Sequence, residues 1–316
     1  ENAFADCTSL TSVVIPSSVT EIGGAFSSAV FAGCTSLTSI VVEEGNSEYD
    51  SREGCNAIIA TAANILIQGC ASTIIPSSIT GIGGYAFRGC TSLTSIVIPE
   101  GVTVIRHFAF YDCSSLTSIV IPKGVTEIGD YAFRDCTSLT SVVIPEGVRK
   151  IGGGAFKGCS SLTSIVVEEG NSVYDSREGC NAIIETATNK LIRGCNSTII
   201  PSSVTEILGG AFWGCTSLTS IVIPEGVTAI GNRVFQNCTS LTSVVIPSSV
   251  TKIGDKAFRG CTSLKSIEFP QSLTVIDYEA FKDCSSLTSV VIPSSVTKII
   301  FNAFEGCSSL TSIVVE

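Results

Sequence analysis

The amino-acid sequence predicts a β-rich solenoid, and two observations carry that prediction. Phenylalanine recurs every 23 residues over long stretches, as at Phe87, Phe110, Phe133 and Phe156. Between these phenylalanines the same short sequence returns, with alternating β-branched residues that end at a proline. A fixed period of this length is typical of repeat proteins, in which one repeat cannot bury its own apolar side chains and neighbouring repeats stack into a continuous core.

The repeat, called a coil below, is counted from its phenylalanine as position 0. In most coils cysteine follows at +3, leucine at +6, isoleucine or valine at +9 and +11, proline at +12 and isoleucine at +18. Together with two longer inserts, this pattern predicts about thirteen coils. Eleven coils carry the phenylalanine: Phe4, Phe31, Phe87, Phe110, Phe133, Phe156, Phe212, Phe235, Phe258, Phe281 and Phe304.

Positions +8 to +11 predict a short strand in every coil. Side chains at +9 and +11 point to one face and those at +8 and +10 to the other, and the following proline ends the strand because it cannot donate to a ladder. The outward columns are therefore serine at +8 and valine at +10, as at Val97, Val120 and Val143. This valine column is either a contact surface or a row of β-branched neighbours that only stabilises the ladder.

The two inserts are copies of one another. Residues 41–80 match residues 166–205 at all but seven of 40 positions. In each copy two apolar segments flank a four-residue loop, which is Thr61–Asn64 in the first copy. Because both faces of the resulting hairpin are apolar, we expect it to be integrated into the solenoid rather than to protrude.

The hairpin register brings cysteines together. Pairing residue 60 with residue 65 places Cys55 opposite Cys70, and the same count places Cys180 opposite Cys195. These two pairs are candidates for cross-strand disulfides. The cysteines at +3 are different, because stacked equivalent residues lie about 4.8 Å apart with parallel Cα–Cβ bonds, beyond the distance a disulfide prefers. We expect them to form a column of buried thiols.

The motif C-x-x-L-x-x-I-x-I-P-x-x-V-x-x-I-x-x-x-A-F contains the Leu-x-x-Ile-x-Ile strand signature of leucine-rich repeats. It closely resembles the BspA-like (Treponema pallidum-type) leucine-rich repeats, over essentially the whole chain and including the inserts. The resemblance implies a noncatalytic bacterial, or in some cases protist, protein at the cell surface or secreted outside the cell. It also implies adhesion to a host matrix or cell-surface protein or to a glycan.

Composition excludes several other classes of function. The chain has 18 basic against 28 acidic residues and a net charge of −10, which disfavours nucleic acid as a partner. No apolar run approaches the roughly 18 residues that are needed to cross a bilayer, so the sequence predicts no membrane-spanning segment. His107 is the single histidine, and the segment Asp50–Gly54 lacks the alternating acidic ligands of a calcium loop. We expect no cofactor, no metal and no catalytic activity.

Sequence variation concentrates just after the phenylalanine, at position +1. This column is basic on an acidic protein, and exposed tryptophan, tyrosine and arginine are common binding anchors. Solvated residues at a freely varying turn are the alternative interpretation. The candidate binding residues in this column are Arg88, Tyr111, Arg134, Lys157, Trp213 and Arg259.

The sequence predicts one solenoid domain over residues 1–316. Both ends fall inside a repeat, which indicates a fragment of a longer chain. Duplication of an insert together with the coils that follow it, which we call block duplication, also fits a second function. This function is a structural spacer or self-associating stalk that presents another domain. Adhesion through a repeated surface and length adjustment of a stalk both remain open at this point.

Overall fold

The computed structural model describes residues 2–24 and 29–316. Contacts divide the chain into two compact units: Glu1–Cys159 with Glu168–Asn171 (unit 1), and Ser160–Val167 with Ser172–Glu316 (unit 2). Each unit is a solenoid of short strands joined by turns, which confirms the predicted fold class. Among the residues described, no helix is both long and apolar enough to cross a membrane.

The described residues of unit 1 form ten strands and one short 3₁₀ turn, Arg52–Gly54. The strands are β1 Ser12–Ile15, β2 Ser39–Val42, β3 Tyr49–Asp50, β4 Ile58–Ala60, β5 Ile65–Gln68, β6 Gly81–Ile82, β7 Val104–Ile105, β8 Glu127–Ile128, β9 Ser141–Ile144 and β10 Lys150–Ile151. Strands β6, β7, β8 and β10 pair in parallel, each one coil further along the chain.

Unit 2 follows the same plan and contains the 3₁₀ turn Arg177–Gly179. Its strands are β11 Ser164–Val167, β12 Tyr174–Asp175, β13 Ala182–Glu185, β14 Lys190–Gly194, β15 Glu206–Ile207, β16 Ser220–Val222, β17 Ala229–Ile230, β18 Ser243–Val245, β19 Lys252–Ile253, β20 Val275–Ile276, β21 Ser289–Ile292, β22 Lys298–Ile299 and β23 Ser312–Val315. The ladder β17-β19-β20-β22 corresponds to the ladder β6-β7-β8-β10 of unit 1.

The strand predicted at +8 to +11 of every coil is absent from the coils of Phe87, Phe110 and Phe258, where the prediction is wrong. Where the strand forms, its side chains alternate as predicted. In β9, Ser141 and Val143 are exposed while Val142 and Ile144 are buried. Strand β21 repeats the pattern with the same sequence. A proline follows each of these two strands and ends it.

The phenylalanines at position 0 form the centre of each core. In unit 1 the rings of Phe87, Phe110, Phe133 and Phe156 stack in sequence, with centroids 5.0–5.3 Å apart and planes within 2° of parallel. In unit 2 the rings from Phe212 to Phe304 stack at 5.1–5.2 Å. Each buried ring contributes roughly 1.5–3 kcal/mol from transfer out of water and ~0.5–1.5 kcal/mol from the aromatic pair.

A further ladder runs past these rings. The amide groups at −2, 0 and +2 donate to carbonyl groups of the next coil, as when Phe87 N donates to Ala109 O at 2.7 Å and Gly89 N to Tyr111 O at 2.8 Å. Positions −2 and +2 both have positive φ in the coils of this ladder. At +2 the residues are glycine, aspartate or asparagine, as at Gly89 and Asp112, which accept that conformation best.

The cysteines at +3 form the buried column that the sequence predicts, except at its two ends, where Cys7 is exposed and Cys307 is half-buried. They also bond to the backbone. The Sγ of Cys113 donates to Phe87 O at 3.1 Å, and that of Cys136 donates to Phe110 O at 3.1 Å. The same bond, at 3.2 Å, recurs in unit 2 from Cys261 to Phe235. Burial raises the pKa of Cys90 to about 12, so this thiol stays protonated.

The inserts form hairpins that are integrated into each unit, as predicted. In unit 1, Ala60 pairs with Ile65 across the turn Thr61–Asn64, and β5 then pairs in parallel with β6. In unit 2, β14 pairs with β15 in the same way. The insert therefore adds a hairpin without interrupting the ladder.

The predicted alignment of the insert cysteines is wrong by one residue. A β-bulge shifts the register after Ile59↔Leu66, so that Ile58 pairs with Gln68, and the second insert has the same shift. A bulge places two residues of one strand against one residue of its partner. Cys70 therefore lies against Asn56, and its Sγ contacts Asn56 O at 3.5 Å.

The four insert thiols are free in the structure. Cys55 and Cys180 contact the carbonyl groups of Ala57 and Ala182 at 3.9 Å instead of a second sulfur. The disulfides Cys55–Cys70 and Cys180–Cys195 stay a prediction.

Candidate functional site

The valine column at +10 is exposed in both units, as the alternation predicts. In unit 1 the exposed fraction is 82% for Val97, 74% for Val120 and 46% for Val143, and Ile74 of the insert continues the column at 76%. The members in unit 2 are Val166, Val222, Val245, Val291 and Val314. Its use as a contact surface stays a prediction.

The predicted column at +1 is half-buried rather than fully exposed. In unit 1 it lies beside a second column, at −2, that sequence reasoning missed. The two columns together form one surface, which we call the aromatic–arginine face. It consists of Tyr85, Phe108 and Tyr131 at −2 and of Arg88, Tyr111 and Arg134 at +1.

The rings of this face pack against one another. Tyr85 and Phe108 stack with centroids 4.9 Å apart, and Phe108 and Tyr131 stack at 5.1 Å. Tyr111 meets Phe108 edge-on at 5.7 Å. These are the offset and edge geometries that aromatic pairs prefer, so the rings hold each other in place before any partner arrives.

Two arginines complete the face. The guanidinium carbon of Arg88 lies 5.9 Å from the ring centroid of Tyr85 and 5.6 Å from that of Tyr111. Arg134 lies 5.4 Å from both Tyr111 and Tyr131, and its Nε donates to Asp135 at 3.1 Å. A cation over a ring gains about 0.5–1 kcal/mol at an exposed site. Tyr111 is therefore held between two guanidinium groups.

The backbone beneath the aromatic column is strained. Tyr85, Phe108 and Tyr131 have φ values of 64°, 54° and 56°. Bulky residues rarely adopt this left-handed conformation, which costs of order 1–3 kcal/mol, whereas glycine adopts it freely. Gly154 occupies the same position one coil later. In unit 2 Arg233, Lys256 and Glu279 adopt the same conformation at −2, so the strain belongs to the coil and not to the aromatic residues alone.

A polar pocket of about 340 Å³ adjoins this face in unit 1. His107 joins the two, because its ring meets Tyr85 edge-on at 5.4 Å and Phe108 at 6.0 Å. The ionisable side chains that line the pocket are Arg106, His107, Glu127, Asp130 and Lys150.

The carboxylates of the pocket are engaged with neighbouring groups. The Lys150 ammonium pairs with Glu127 at 2.8 Å, and Asp130 accepts the amide hydrogen of Gly153 at 2.6 Å. On the other side of the face, burial raises the pKa of the Asp112 carboxyl, Asp135 raises it further and Arg88 lowers it.

Unit 2 places different residues at the same coil positions. At −2 it has Gly210, Arg233, Lys256, Glu279 and Asn302. Its predicted binding residue Arg259 pairs with Glu279 at 3.1 Å, and Lys282 pairs with the same carboxylate at 3.5 Å. Trp213 lies at +1 in the coil that has Gly210 at −2, so the tryptophan has no aromatic residue at −2 in its own coil.

The segment Asp50–Gly54 forms an ion pair rather than a metal loop. Arg52 donates from Nε and Nη2 to the two carboxylate oxygens of Asp50 at 2.7 and 2.5 Å, and from Nη1 to Asn64 at 2.9 Å. Burial acts to raise the pKa of Asp50, but these hydrogen bonds outweigh it and hold that pKa below its ordinary value. No cluster of three metal-ligating side chains occurs among the residues that the structure describes.

The fold and the repeated surface define a leucine-rich-repeat protein. The model of the BspA type leucine-rich repeat region matches residues 1–57, 68–178 and 186–311, in six copies. The chain belongs to this family, which confirms the resemblance seen in the sequence. No curated protein matches the chain.

Three solved structures are similar to the chain. A leucine-rich cell-surface protein from Faecalibacterium prausnitzii is 31% identical, with a TM-score of 0.68, over 97% of this chain and 79% of that one. A leucine-rich repeat protein from Eubacterium ventriosum is 25% identical, with a TM-score of 0.69, over 96% and 72%. The pneumococcal vaccine antigen PcpA shares the fold at 19% identity and a TM-score of 0.57, over 96% and 62%.

Proposed function

We propose that this protein is a noncatalytic protein of the bacterial cell surface, or secreted from the cell, that binds macromolecular partners through the aromatic–arginine face. The observation that carries the proposal is the packed cluster of three stacked rings at −2 with Tyr111 held between two guanidinium groups at +1. The F. prausnitzii relative, described as a cell-surface protein, supports the location.

The composition of the face suits a binding surface. Tyrosine and arginine are enriched among the residues that dominate binding energy. Because Tyr111 is already held by Arg88 and Arg134, little side-chain entropy is lost on binding. A preformed surface of this kind can bind without rearrangement of the coil.

The valine column supports a second, weaker contact. One exposed valine per coil gives a row of equivalent small contacts, and contacts that engage together add through effective concentration. In this proposal the valine column extends the area of attachment, and the aromatic–arginine face provides the specific contact.

The test is binding of the full chain to matrix proteins, glycans and intact cells, with three variants. Arg88→Ala/Tyr111→Ala removes the centre of the face, and we expect it to weaken binding about tenfold or more, as loss of a hot spot does. Trp213→Ala/Arg259→Ala changes the same column in unit 2 and is the matched control. Val97→Glu/Val120→Glu/Val143→Glu tests the valine column. Circular dichroism checks that each variant is folded.

The outcomes separate the candidate surfaces. Saturable binding that only the Arg88/Tyr111 variant loses supports the proposal. Loss only in the Trp213/Arg259 variant or only in the valine variant would overturn the assignment to this face. No saturable binding to any partner would overturn adhesion and favour the structural spacer that block duplication also fits.

A further inference from the structure

We propose that the polar pocket beside the aromatic–arginine face binds one sugar residue of a neutral glycan. The inference rests on the proposed function, because it names the class of partner that this face would hold. Four properties carry it: the size of the pocket, its charge balance, its hydrogen-bonding groups and its position against the rings.

The size of the pocket selects a small group. Its volume of about 340 Å³ lies at the lower end of the range for ligand pockets, ~300–1,000 Å³. One sugar residue or one side chain fits such a volume, whereas a folded segment of a partner does not. The rest of a longer chain would lie outside the pocket, along the face.

The charge balance favours a neutral ligand. Arg106 and Lys150 supply two positive charges, and Glu127 and Asp130 supply two negative charges. A phosphate, sulfate or uronate group would meet the two carboxylates, and like charges disfavour binding. A cationic ligand would meet the arginine and the lysine. An uncharged ligand is repelled by neither the carboxylates nor the cations.

The hydrogen-bonding groups suit hydroxyl groups in particular. Each hydroxyl both donates and accepts. The pocket offers carboxylate acceptors at Glu127 and Asp130 and charged donors at Arg106 and Lys150. Glu127 and Lys150 are neighbours on paired strands, 2.8 Å apart, so one hydroxyl can reach both an acceptor and a donor.

The rings beside the pocket complete the match. His107 lines the pocket and lies edge-on to Tyr85 and Phe108. A sugar ring carries C–H groups as well as hydroxyls, so it can place its apolar side against the His107 ring, which Tyr85 and Phe108 support, and its hydroxyls towards the carboxylates. An extended glycan could then continue from the pocket towards Arg88 and Tyr111.

The test measures Kd by calorimetry for the full chain with neutral oligosaccharides: maltoheptaose, cellohexaose and mannohexaose. Heparin and polygalacturonate fragments are the acidic probes. The pocket variant is Glu127→Ala/Lys150→Val, because Ala229 and Val275 occupy the same ladder position in unit 2 and show that the coil accepts them. The control is Lys190→Val/Glu206→Ala, which removes an ion pair of 3.0 Å at that ladder position in unit 2.

We expect at least one neutral oligosaccharide to bind, with a Kd that rises about tenfold or more in the pocket variant and is unchanged in the control. An equal loss in both variants would overturn the assignment to this pocket. Binding of the acidic probes alone would overturn the neutral class. If no glycan binds but the chain still binds a protein through Arg88 and Tyr111, this inference fails while the proposed function stands.

Discussion

The two units build the same coil but place different residues on its variable positions. In unit 1 positions −2 and +1 hold stacked rings and arginines, with Phe108 between Tyr85 and Tyr131. In unit 2 the same positions hold Lys256, Glu279, Arg259 and Lys282 in a network of ion pairs. These ion pairs surround the buried Glu279 carboxylate and present no preformed aromatic surface. The difference indicates that position 0 maintains the fold, whereas −2 and +1 are free to acquire a function.

The largest expected effect tests whether the two cores are equivalent. Phe133→Ala and Phe258→Ala each remove a fully buried ring from a stack. We expect each to lower the free energy of unfolding by about 3–5 kcal/mol, from lost transfer energy and the cavity left behind. Chemical denaturation followed by circular dichroism measures the loss, and hydrogen exchange locates it. A difference between the two variants above ~1.5 kcal/mol would contradict equivalent cores.

The next effect concerns a polar residue at which the inserts differ inside the core. Gln68 and Arg193 are both buried, and each donates to carbonyl groups of the following coil, Ala86 in unit 1 and Ala211 in unit 2. Gln68→Arg brings a buried cation into the coil of Arg88, so we expect a loss of about 1–3 kcal/mol.

The reciprocal variant is the control for that change. Arg193→Gln replaces a buried charge by the residue that the other insert already uses, and we expect the free energy of unfolding to stay within ~1 kcal/mol of wild type. Thermal denaturation of both variants provides the measurement. Equal losses in the two would show that the difference between the inserts has no electrostatic basis.

A smaller effect on stability separates the aromatic–arginine face from the fold. Phe108→Gly relieves the strained φ of 54° but removes the stacking of the Phe108 ring on Tyr85 and Tyr131. These contributions oppose each other, so we expect a net change below ~1 kcal/mol together with loss of partner binding. Arg233→Gly, at the same position in unit 2, should leave binding intact. Denaturation and a binding assay on the same samples test the pair, and a loss of several kcal/mol would make the ring a structural residue.

The smallest effect depends on pH. The raised pKa of Asp112 means that its ionised form is less favourable in the folded than in the unfolded state. Below the unfolded pKa near 3.9 both states are protonated and the group has no effect, whereas above it the folded state is destabilised. Asp112→Asn, which copies Asn237 of unit 2, should therefore stabilise the protein at pH 7 by ~0.3 kcal/mol and not at pH 3. Thermal melts of the variant and the wild type at pH 7 and pH 3 test this. A larger stabilisation at pH 3 than at pH 7 would contradict the prediction.

The sequence predicts what depends on a single coil. The burial alternation of β9, the exposure of Val97 and the stacking of Phe110 on Phe133 all follow from the repeat period and side-chain direction. The hairpin turn also follows, because Ala60 and Ile65 flank it directly.

What the sequence did not predict depends on geometry between coils. The bulge after Ile59 places an extra residue in one strand, and no residue type marks it, so the position of Cys70 was missed. The aromatic column at −2 was not predicted because Tyr85, Phe108 and Tyr131 lie 23 residues apart in sequence and become neighbours only when the coils stack. The signal in the sequence was the presence of bulky residues at a position where two other coils have glycine, Gly154 and Gly210.

The thiol bonds to the preceding phenylalanine show how such a protein can change in length. In the regular coils the thiol reaches a carbonyl that lies 26 residues earlier, in both units. Phe31 follows Phe4 after 27 residues rather than 23, and the Cys34 thiol still donates to Phe4 O, 30 residues earlier, at 3.2 Å. The bond therefore survives four extra residues in a coil, so length can vary by local insertion as well as by whole repeats, provided that phenylalanine and cysteine keep their places in the stack.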